Sequence, residues 1–294
     1  MGRPSAFVIS ITFVLLCLIW GTTWSVIQIG LVGIPPLTGV ALRFAIAAAL
    51  LLVLIGVRRI RLGTTRRERL LWLSNSVLSF SVSYGVVYWA EQWVPSGLTS
   101  VLFATYPLFV ALLAHYMLPA ETLRRPEVIG IALGFAGVGV IFSSDFEALG
   151  GREVAVASAV MLLSPVAAAA SSVFVKRWGA GIHPFSLSAV PMGLTAALMG
   201  MLAAIFERDR VVTFDRVSVG ALLYLAIAGS AVTFSLYYWL LSHLPAKRLA
   251  LIAYVIPVVA VLIGVLRDEP LTLRSLAGSA LVLVGVALAI HRPT

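Results

Sequence analysis

The sequence is poor in charged residues. Asp, Glu, Lys and Arg together make up 11% of its 294 residues, whereas soluble domains carry about 25%. Hydrophobic residues account for 61% of the chain, and its mean hydropathy is +1.04. A water-soluble protein of this size could not bury so much apolar surface, so the composition excludes a soluble enzyme or binding module. It predicts a protein embedded in a lipid bilayer.

The sequence also has almost no cysteine and no pattern typical of a catalytic site. Cys17 is the only cysteine, which excludes an internal disulfide and a cysteine-based metal site. The chain has no metal-ligand spacing, no glycine-rich phosphate loop and no nucleophile beside a base. His115, His183 and His243 fall near the ends of apolar runs, where surface positions are expected. We therefore expect no enzymatic activity, no metal and no cofactor.

What the sequence does contain is ten long apolar runs, each with a length typical of a spanning helix, roughly 20 residues. The net charge is +9, but the arginines lie in short connections between these runs, so we expect no nucleic-acid partner. The predicted fold class is an all-α polytopic membrane protein with ten transmembrane helices. The runs are 6–32, 36–56, 70–93, 95–118, 126–142, 153–176, 184–206, 216–241, 246–266 and 274–291.

The distribution of basic residues predicts the orientation. Of the 21 Lys and Arg residues, 14 lie in the termini and the even-numbered connections, six lie in the odd-numbered connections, and Arg43 lies inside the second run. Because cytoplasmic connections are enriched in Lys and Arg, both termini and the connection 57–69 are predicted to be cytoplasmic. The connection 143–152 is predicted to be external.

The two halves of the chain repeat one another. Tyr88-Trp89 recurs as Tyr238-Trp239 and Pro107 recurs as Pro257, each 150 residues later; Glu121 recurs as Glu269, 148 residues later. Residues 1–145 and 153–294 therefore form two repeats. Each repeat has five predicted spans, an odd number, so the second copy inserts upside down. Inverted repeats are typical of secondary transporters, whose substrate site lies near mid-membrane between the halves.

Several short motifs carry a resemblance to a known family. They are Trp20-Gly21-Thr22-Thr23, Ala41-Leu42-Arg43, Glu269-Pro270-Leu271-Thr272, Gly278 and Gly285-Val286. With these motifs the sequence resembles the EamA family of the drug/metabolite transporter superfamily, whose members are exporters of small metabolites, often amino acids. It is most similar to bacterial exporters of aromatic and other neutral amino acids, which implies a multi-pass protein of the bacterial inner membrane.

Predicted helices 1, 3, 4, 6, 8 and 9 carry the polar and aromatic side chains that an internal cavity needs. In helix 1, Trp20, Trp24 and Gln28 share one face by their four-residue spacing. An aromatic stripe can also face lipid, but an amide is unfavourable there. Buried phenols need polar partners, which favours the mid-span tyrosines as site residues. The predicted substrate-binding residues are Trp20, Trp24, Gln28, Ser79, Tyr84, Tyr88, Tyr106, Ser171 and Tyr238.

Four further features have both a functional and a structural interpretation. Pro107 and Pro257 inside helices 4 and 9 predict hinges, although inert kinks are common in membrane helices. Arg43 is interpreted either as the counter-charge of a substrate carboxylate or as a structural partner of backbone carbonyls. The Gly130–Gly134 pattern favours internal helix packing over dimerisation. Glu91, near the external end of helix 3, is interpreted as an interfacial acid, which predicts substrate movement without obligatory proton coupling.

Together these features predict an exporter of small neutral metabolites, with aromatic and apolar amino acids first. Two alternatives stay open: efflux of amphipathic drugs or nucleobases, and a non-transporting membrane scaffold, which would need no polar stripes at mid-membrane. A phosphorylated sugar is disfavoured because only Arg43 could meet a dianion at depth. A zwitterion needs hydrogen-bonding groups at two separated points of the cavity, whereas a drug does not. The expected partners are a small-molecule substrate and the bilayer, with the chain as a monomer or weak dimer.

Overall fold

A computed structural model of the chain describes residues 5–63, 65–119, 121–142, 150–250, 252–269 and 272–290. The predicted external connection falls largely outside these residues, as do Pro270 and Leu271 of the second-half motif. Within the described residues the protein is helical and contains no strand. The helices form ten segments, and each coincides with one of the ten apolar runs, with ends that differ by at most four residues.

We label these segments α1 to α10. Their bounds are α1 Ala6–Leu31, α2 Pro36–Val57, α3 Arg66–Ala90, α4 Ser96–Met117, α5 Arg125–Phe142, α6 Arg152–Trp178, α7 Pro184–Phe206, α8 Arg216–His243, α9 in two pieces, Ala246–Leu249 and Ile252–Leu266, and α10 Leu273–Ile290. By length and composition, seven of the described helices can cross a membrane, namely α1–α4 and α6–α8. Shorter apolar stretches, Val255–Leu266 and Leu276–Gly285, lie in α9 and α10.

Several helices begin with a residue that satisfies their free backbone N–H groups. The side chain of Ser5 accepts a hydrogen bond from the N–H of Val8 at the start of α1. Asp215 does the same for Ser218 and Val217 at the start of α8, and it also accepts from the Ser218 hydroxyl. These hydrogen bonds lower the pKa of Asp215, with those of Ser218 the main cause. Such capping marks the point where the chain leaves water and enters the apolar run.

Several of the helices are irregular, at positions that the hydrophobic pattern does not show. α3 contains a π-helical segment at Asn75–Ser83, and α8 contains one at Ile227–Val232, about 150 residues later. α4 is interrupted after Phe103, so Pro107 lies in the first turn of the second piece. The prediction of a proline in mid-helix is therefore wrong for Pro107, because the helix restarts where a missing N–H is harmless. Pro257 does lie inside its helix.

The segments pack in pairs, and each pair joins one helix of the first half to one helix of the second half. α5 packs along α10, α2 along α7, α1 against α9, and α4 against α6. Between α5 and α10 the backbones approach so closely that a Cβ atom on Gly137 would lie 2.6 Å from the Val282 nitrogen and 2.7 Å from the Gly278 oxygen. This confirms that the glycines serve internal packing. Six helices, α1, α3, α4, α6, α8 and α9, surround a central cavity.

Candidate functional site

A cavity lies between helices from both halves of the chain. It contains about 750 Å³ of empty space, including its opening. α1, α3 and α4 line it from the first half, and α6, α8 and α9 line it from the second, the same six helices that the sequence pattern favours. None of the described lining residues carries a charge. The aromatic and hydroxyl side chains that line it are Trp20, Thr23, Trp24, Ser79, Ser83, Tyr84, Phe103, Tyr106, Ser172, Phe234 and Tyr237.

Aromatic rings form much of the cavity wall, and rings from the first half of the chain contact rings from the second half. Trp20 meets Phe234 edge-on at 5.3 Å between ring centroids and lies 5.5 Å from Tyr237. Tyr84 lies 5.9 Å from Phe234. Edge-to-face pairs hold ring positions and contribute energy beyond simple burial. The wall is therefore built by contacts between helices that are far apart in sequence.

One polar region of the cavity is a cluster of three hydroxyl groups. Tyr106 donates a hydrogen bond to Ser172 at 2.8 Å, and Tyr237 donates to the same oxygen at 3.0 Å. The two phenol oxygens are 2.7 Å apart. α4, α6 and α8 each supply one member of the cluster. These hydroxyls give the aromatic wall a point where a polar ligand group can bind.

The second polar region is the indole of Trp24. Its Nε1 is buried and has no hydrogen-bond partner in the described part of the chain. An unpaired buried donor is costly, and here it belongs to a side chain that lines the cavity. Phe103 packs against this indole and against the hydroxyl cluster, with its ring centroid 5.4 Å from the Trp24 ring and 5.6 Å from the Tyr106 ring. The indole N–H and the hydroxyl cluster thus belong to different lining residues that contact the same aromatic ring.

Arg43 lies behind the cavity wall rather than in it. Its side chain is fully buried, Nε donates to the Ser230 hydroxyl at 2.7 Å, and Nη2 donates to the Gly229 carbonyl at 3.0 Å. Nη1 donates to the Tyr88 hydroxyl at 3.4 Å, and the guanidinium carbon lies 4.7 Å from the Tyr84 ring centroid. Every nitrogen is thus used by protein groups, as in the structural interpretation. The acceptor carbonyl comes from the π-helical segment of α8.

A second buried polar network surrounds Asn75 in α3. Its side-chain oxygen accepts hydrogen bonds from Ser171 at 2.6 Å and from Tyr238 at 2.8 Å, and its nitrogen donates to the Leu187 carbonyl at 2.8 Å. Asn75 therefore joins α3, α6, α7 and α8. Two of the predicted site residues, Ser171 and Tyr238, belong to this network and not to the cavity lining.

Five of the nine predicted substrate-binding residues line the cavity and four do not. Trp20, Trp24, Ser79, Tyr84 and Tyr106 line it. Gln28 instead donates to the Val94 carbonyl at 3.0 Å, and Tyr88 contacts Arg43. Among the aromatic and hydroxyl side chains of the lining, those that were not predicted are Thr23, Ser83, Phe103, Ser172, Phe234 and Tyr237. The repeat itself carried a usable signal, because Phe234 is equivalent to Tyr84 and Ser172 to Thr23.

Two glutamates tie α4 and α9 to the opposite half at equivalent places. Glu269, which follows α9, accepts hydrogen bonds from the Ser96 hydroxyl at 2.6 Å and the Gly97 N–H at 3.1 Å, at the start of α4. Glu121, which follows α4, accepts from the Ala246 N–H at 3.4 Å, at the start of α9. Ser96 and Ala246 are 150 residues apart. We call these two contacts the carboxylate ties.

Sequence comparisons agree with this arrangement of two similar halves. Residues 8–143 and 156–290 each match the EamA-like transporter family. The chain belongs to the EamA-like transporter family. Its two matches together span most of the chain and correspond to the two halves described above. It is therefore a multi-pass membrane protein of a transporter family.

Relatives in this family are similar over most of their length. The chain is 33% identical to the uncharacterized inner membrane transporter YedA of Escherichia coli (strain K12), covering 85% of this chain and 79% of that protein. It is 26% identical to the uncharacterized transporter YoaV of Bacillus subtilis (strain 168), covering 92% of each. A solved crystal structure at 20% identity superposes with a TM-score of 0.73 over 97% of this chain and 98% of that chain. At that identity the likeness concerns the fold.

Proposed function

We propose that this EamA-family protein is a secondary transporter that exports small neutral metabolites, aromatic and other neutral amino acids first, by alternating access. The observation that carries the proposal is the central cavity. Both halves line it, its walls are aromatic, and its polar groups include the hydroxyl cluster and the Trp24 N–H, which has no partner in the described chain. In this proposal residues 1–145 and 153–294 are inverted repeats of five spans each. The substrate site lies where they meet, as in other transporters built from inverted repeats.

The two polar places suit the two ends of an amino acid. The Trp24 N–H is a donor without acceptor capacity, so it complements a carboxylate. The hydroxyl cluster of Tyr106, Ser172 and Tyr237 has oxygen acceptors, which complement an ammonium group. Phe103 packs against both Trp24 and Tyr106, where it can contact the apolar part of the substrate. Because no described lining residue is charged, a ligand with zero net charge is favoured over an anion or cation.

Efflux of amphipathic drugs or nucleobases is the second candidate, since the aromatic wall would also stack with planar rings. The two candidates differ in what the cavity requires of the ligand. An amino acid would use both charged ends, whereas a drug or base would bind through its ring alone. A scaffold without transport activity is disfavoured, because it would not need a central cavity lined by both halves of the chain.

Counterflow in proteoliposomes tests this proposal directly. We expect labelled phenylalanine to exchange against unlabelled phenylalanine, tyrosine and leucine. Phenethylamine lacks the carboxylate and 3-phenylpropionate lacks the ammonium group, so each should compete at least about tenfold less well. A hydrogen bond to a charged group contributes about 1.5–3 kcal/mol, and 1.4 kcal/mol is a factor of ten. Exchange of nucleobases or planar drugs without exchange of amino acids would contradict the proposal and favour the second candidate.

The proposal also specifies the orientation of the chain and the membrane in which it lies. Both termini are cytoplasmic in a bacterial inner membrane, because the basic residues favour those sides. The chain acts as a monomer or weak dimer. The close α5–α10 packing supports this, since the glycines that could have formed a dimer interface are used inside one chain. No cofactor, metal or nucleic acid takes part in the proposed cycle.

A further inference from the structure

Glu91 is a buried acid without a partner. It follows the last residue of α3, its side chain is only 4% exposed, and neither carboxylate oxygen has a hydrogen-bond partner in the described part of the chain. The sequence predicts an interfacial or helix-end acid; the structure places Glu91 at the helix end, but neighbouring segments cover it. An ionised carboxylate taken out of water without hydrogen bonds is strongly unfavourable. In this conformation the group is therefore best accommodated as a neutral acid.

The charged groups around Glu91 do not neutralise it by direct contact. The groups close enough to interact electrostatically are Glu269, Arg43 and Arg267. The three nitrogens of Arg43 donate elsewhere, as described above. Arg267 donates to the Ser25 carbonyl at 3.2 Å and lies 3.6 Å from Glu269. Glu269 adds a second negative charge, and neither arginine donates a hydrogen bond to Glu91 within the described chain.

The remaining neighbours of Glu91 are neutral or exposed. Tyr88, one turn earlier on α3, uses its hydroxyl to accept from Arg43. α6 packs against the last turns of α3, and its two charged residues at that end, Arg152 and Glu153, are exposed. Ser158, farther along α6, is buried and its hydroxyl also lacks a partner in the described chain. Within the described part of the chain, these neighbours therefore supply no hydrogen bond to the Glu91 carboxylate.

The position of Glu91 along α3 places it next to the cavity. Val87 lines the cavity and precedes Glu91 by four residues, so the two side chains share one face of the helix. A rise of 1.5 Å per residue puts them about 6 Å apart along the axis. Glu91 therefore lies just beyond the end of α3, about one turn past a cavity-lining residue and close to Glu269 of the carboxylate tie. Opening of the protein on either side would bring water within reach of it.

We propose that Glu91 is a proton-binding site that couples export of the substrate to entry of a proton. This inference rests on the proposed transport function and goes beyond it. When the external side opens, the carboxylate takes up one proton from external water, and the neutral acid can then be buried as that side closes. When the cavity opens to the cytoplasm, the proton leaves to cytoplasmic water and the carboxylate is regenerated. One proton enters and one substrate molecule leaves in each cycle.

The first test separates exchange from gradient-driven accumulation in proteoliposomes. With equal pH on both sides, wild type and Glu91→Gln should exchange labelled phenylalanine within about twofold of each other. With an acidic lumen, outward proton flow should drive uphill accumulation in wild type, and Glu91→Gln should lose it. Glu91→Asp keeps a titratable group and should retain part of the accumulation. Glu153→Gln, which removes an exposed acid of α6, is the matched control and should retain all of it.

The second test measures the proton itself and does not depend on transport. The infrared difference spectrum between wild type and Glu91→Gln at neutral pH should contain the carbonyl band of a protonated carboxylic acid. Absence of that band, or accumulation that persists in Glu91→Gln, would overturn the inference. Exchange by wild type without gradient-driven accumulation would also overturn it, while leaving the proposed transport function intact. Failure of every substrate to exchange would instead contradict the transport function.

Discussion

Trp20 and Arg43 donate hydrogen bonds to the same acceptor, the carbonyl oxygen of Gly229. The indole nitrogen lies 3.4 Å from it and Nη2 of the guanidinium lies 3.0 Å from it. Gly229 belongs to the π-helical segment of α8, and a Cβ atom there would lie only 3.2 Å from that same nitrogen. A cavity-wall residue and a buried charge are thus held by one backbone group. This links the shape of the cavity to the packing of α1, α2 and α8.

Replacement of Arg43 should therefore reduce stability before it changes substrate recognition. In Arg43→Met, the Ser230 hydroxyl loses a hydrogen bond from a charged donor, worth about 1.5–3 kcal/mol, while the Gly229 carbonyl keeps the hydrogen bond from Trp20. We expect a clear fall in the thermal unfolding temperature of the protein in detergent. Arg208→Met changes an exposed arginine and should leave that temperature unaltered. Unchanged stability with a raised KM only for carboxylate substrates would instead support the counter-charge interpretation.

The cavity rings should contribute to binding in proportion to their contacts. Alanine at Trp20, Tyr84 or Tyr106 removes aromatic contacts worth about 0.5–1.5 kcal/mol each beyond burial, so each variant should transport several-fold more weakly while still inserting into the membrane. Counterflow rates normalised to the amount of inserted protein measure this. Tyr116→Ala, at an exposed tyrosine, is the control. Wild-type kinetics in all three variants would remove this cavity as the binding site.

The two equivalent prolines should now behave differently. Pro257→Ala restores a hydrogen bond within a helix and should stiffen α9, so turnover should fall more than substrate affinity. Pro107→Ala should have a smaller effect, because Pro107 occupies the first turn of a helical piece. Comparison of kcat and KM for both variants measures the difference. Equal turnover in wild type and Pro257→Ala would show that this proline is an inert kink.

The two carboxylate ties should act in opposite directions. Glu269→Gln weakens the contact at the start of α4, and Glu121→Gln weakens the contact at the start of α9. We expect the first to favour opening beside Ser96 and the second to favour opening beside Ala246. Labelling rates of single cysteines at Gln28 and Thr122, in a Cys17→Ala background, report the two ends. A parallel change at both ends in either variant would show that the ties only stabilise the fold.

The predicted orientation in the membrane can be tested at two positions that lie outside the described residues. Cysteine at Ala148, again without Cys17, should react with an impermeant thiol reagent added to intact cells, because the connection that contains it is predicted to be external. Cysteine at Thr64, in the arginine-rich connection, should react only after the cells are opened. Reaction at Thr64 in intact cells would reverse the whole orientation, including the direction of proton movement inferred for Glu91.

The sequence by itself determined the class of protein, the positions of the helices and the repeat. These depend on quantities that are local or additive along the chain. An apolar run long enough to cross a bilayer predicts a helix whatever its neighbours are, and the ten segments coincide with the ten runs. Gly130 and Gly134 in one half and Gly278 and Gly285 in the other also predicted close packing, because small residues have few other uses in such runs.

Only the tertiary structure decided which side chains meet. The spacing of Trp24 and Gln28 places both on one face of α1, but the first lines the cavity and the second reaches the Val94 carbonyl. Ser171 and Ser172 are adjacent, yet they join different networks. Glu91 lies near a helix end, where depth along α3 suggests contact with water, but neighbouring segments cover it. A helical period defines a face, whereas burial depends on what packs against that face, and segments distant in sequence supply it.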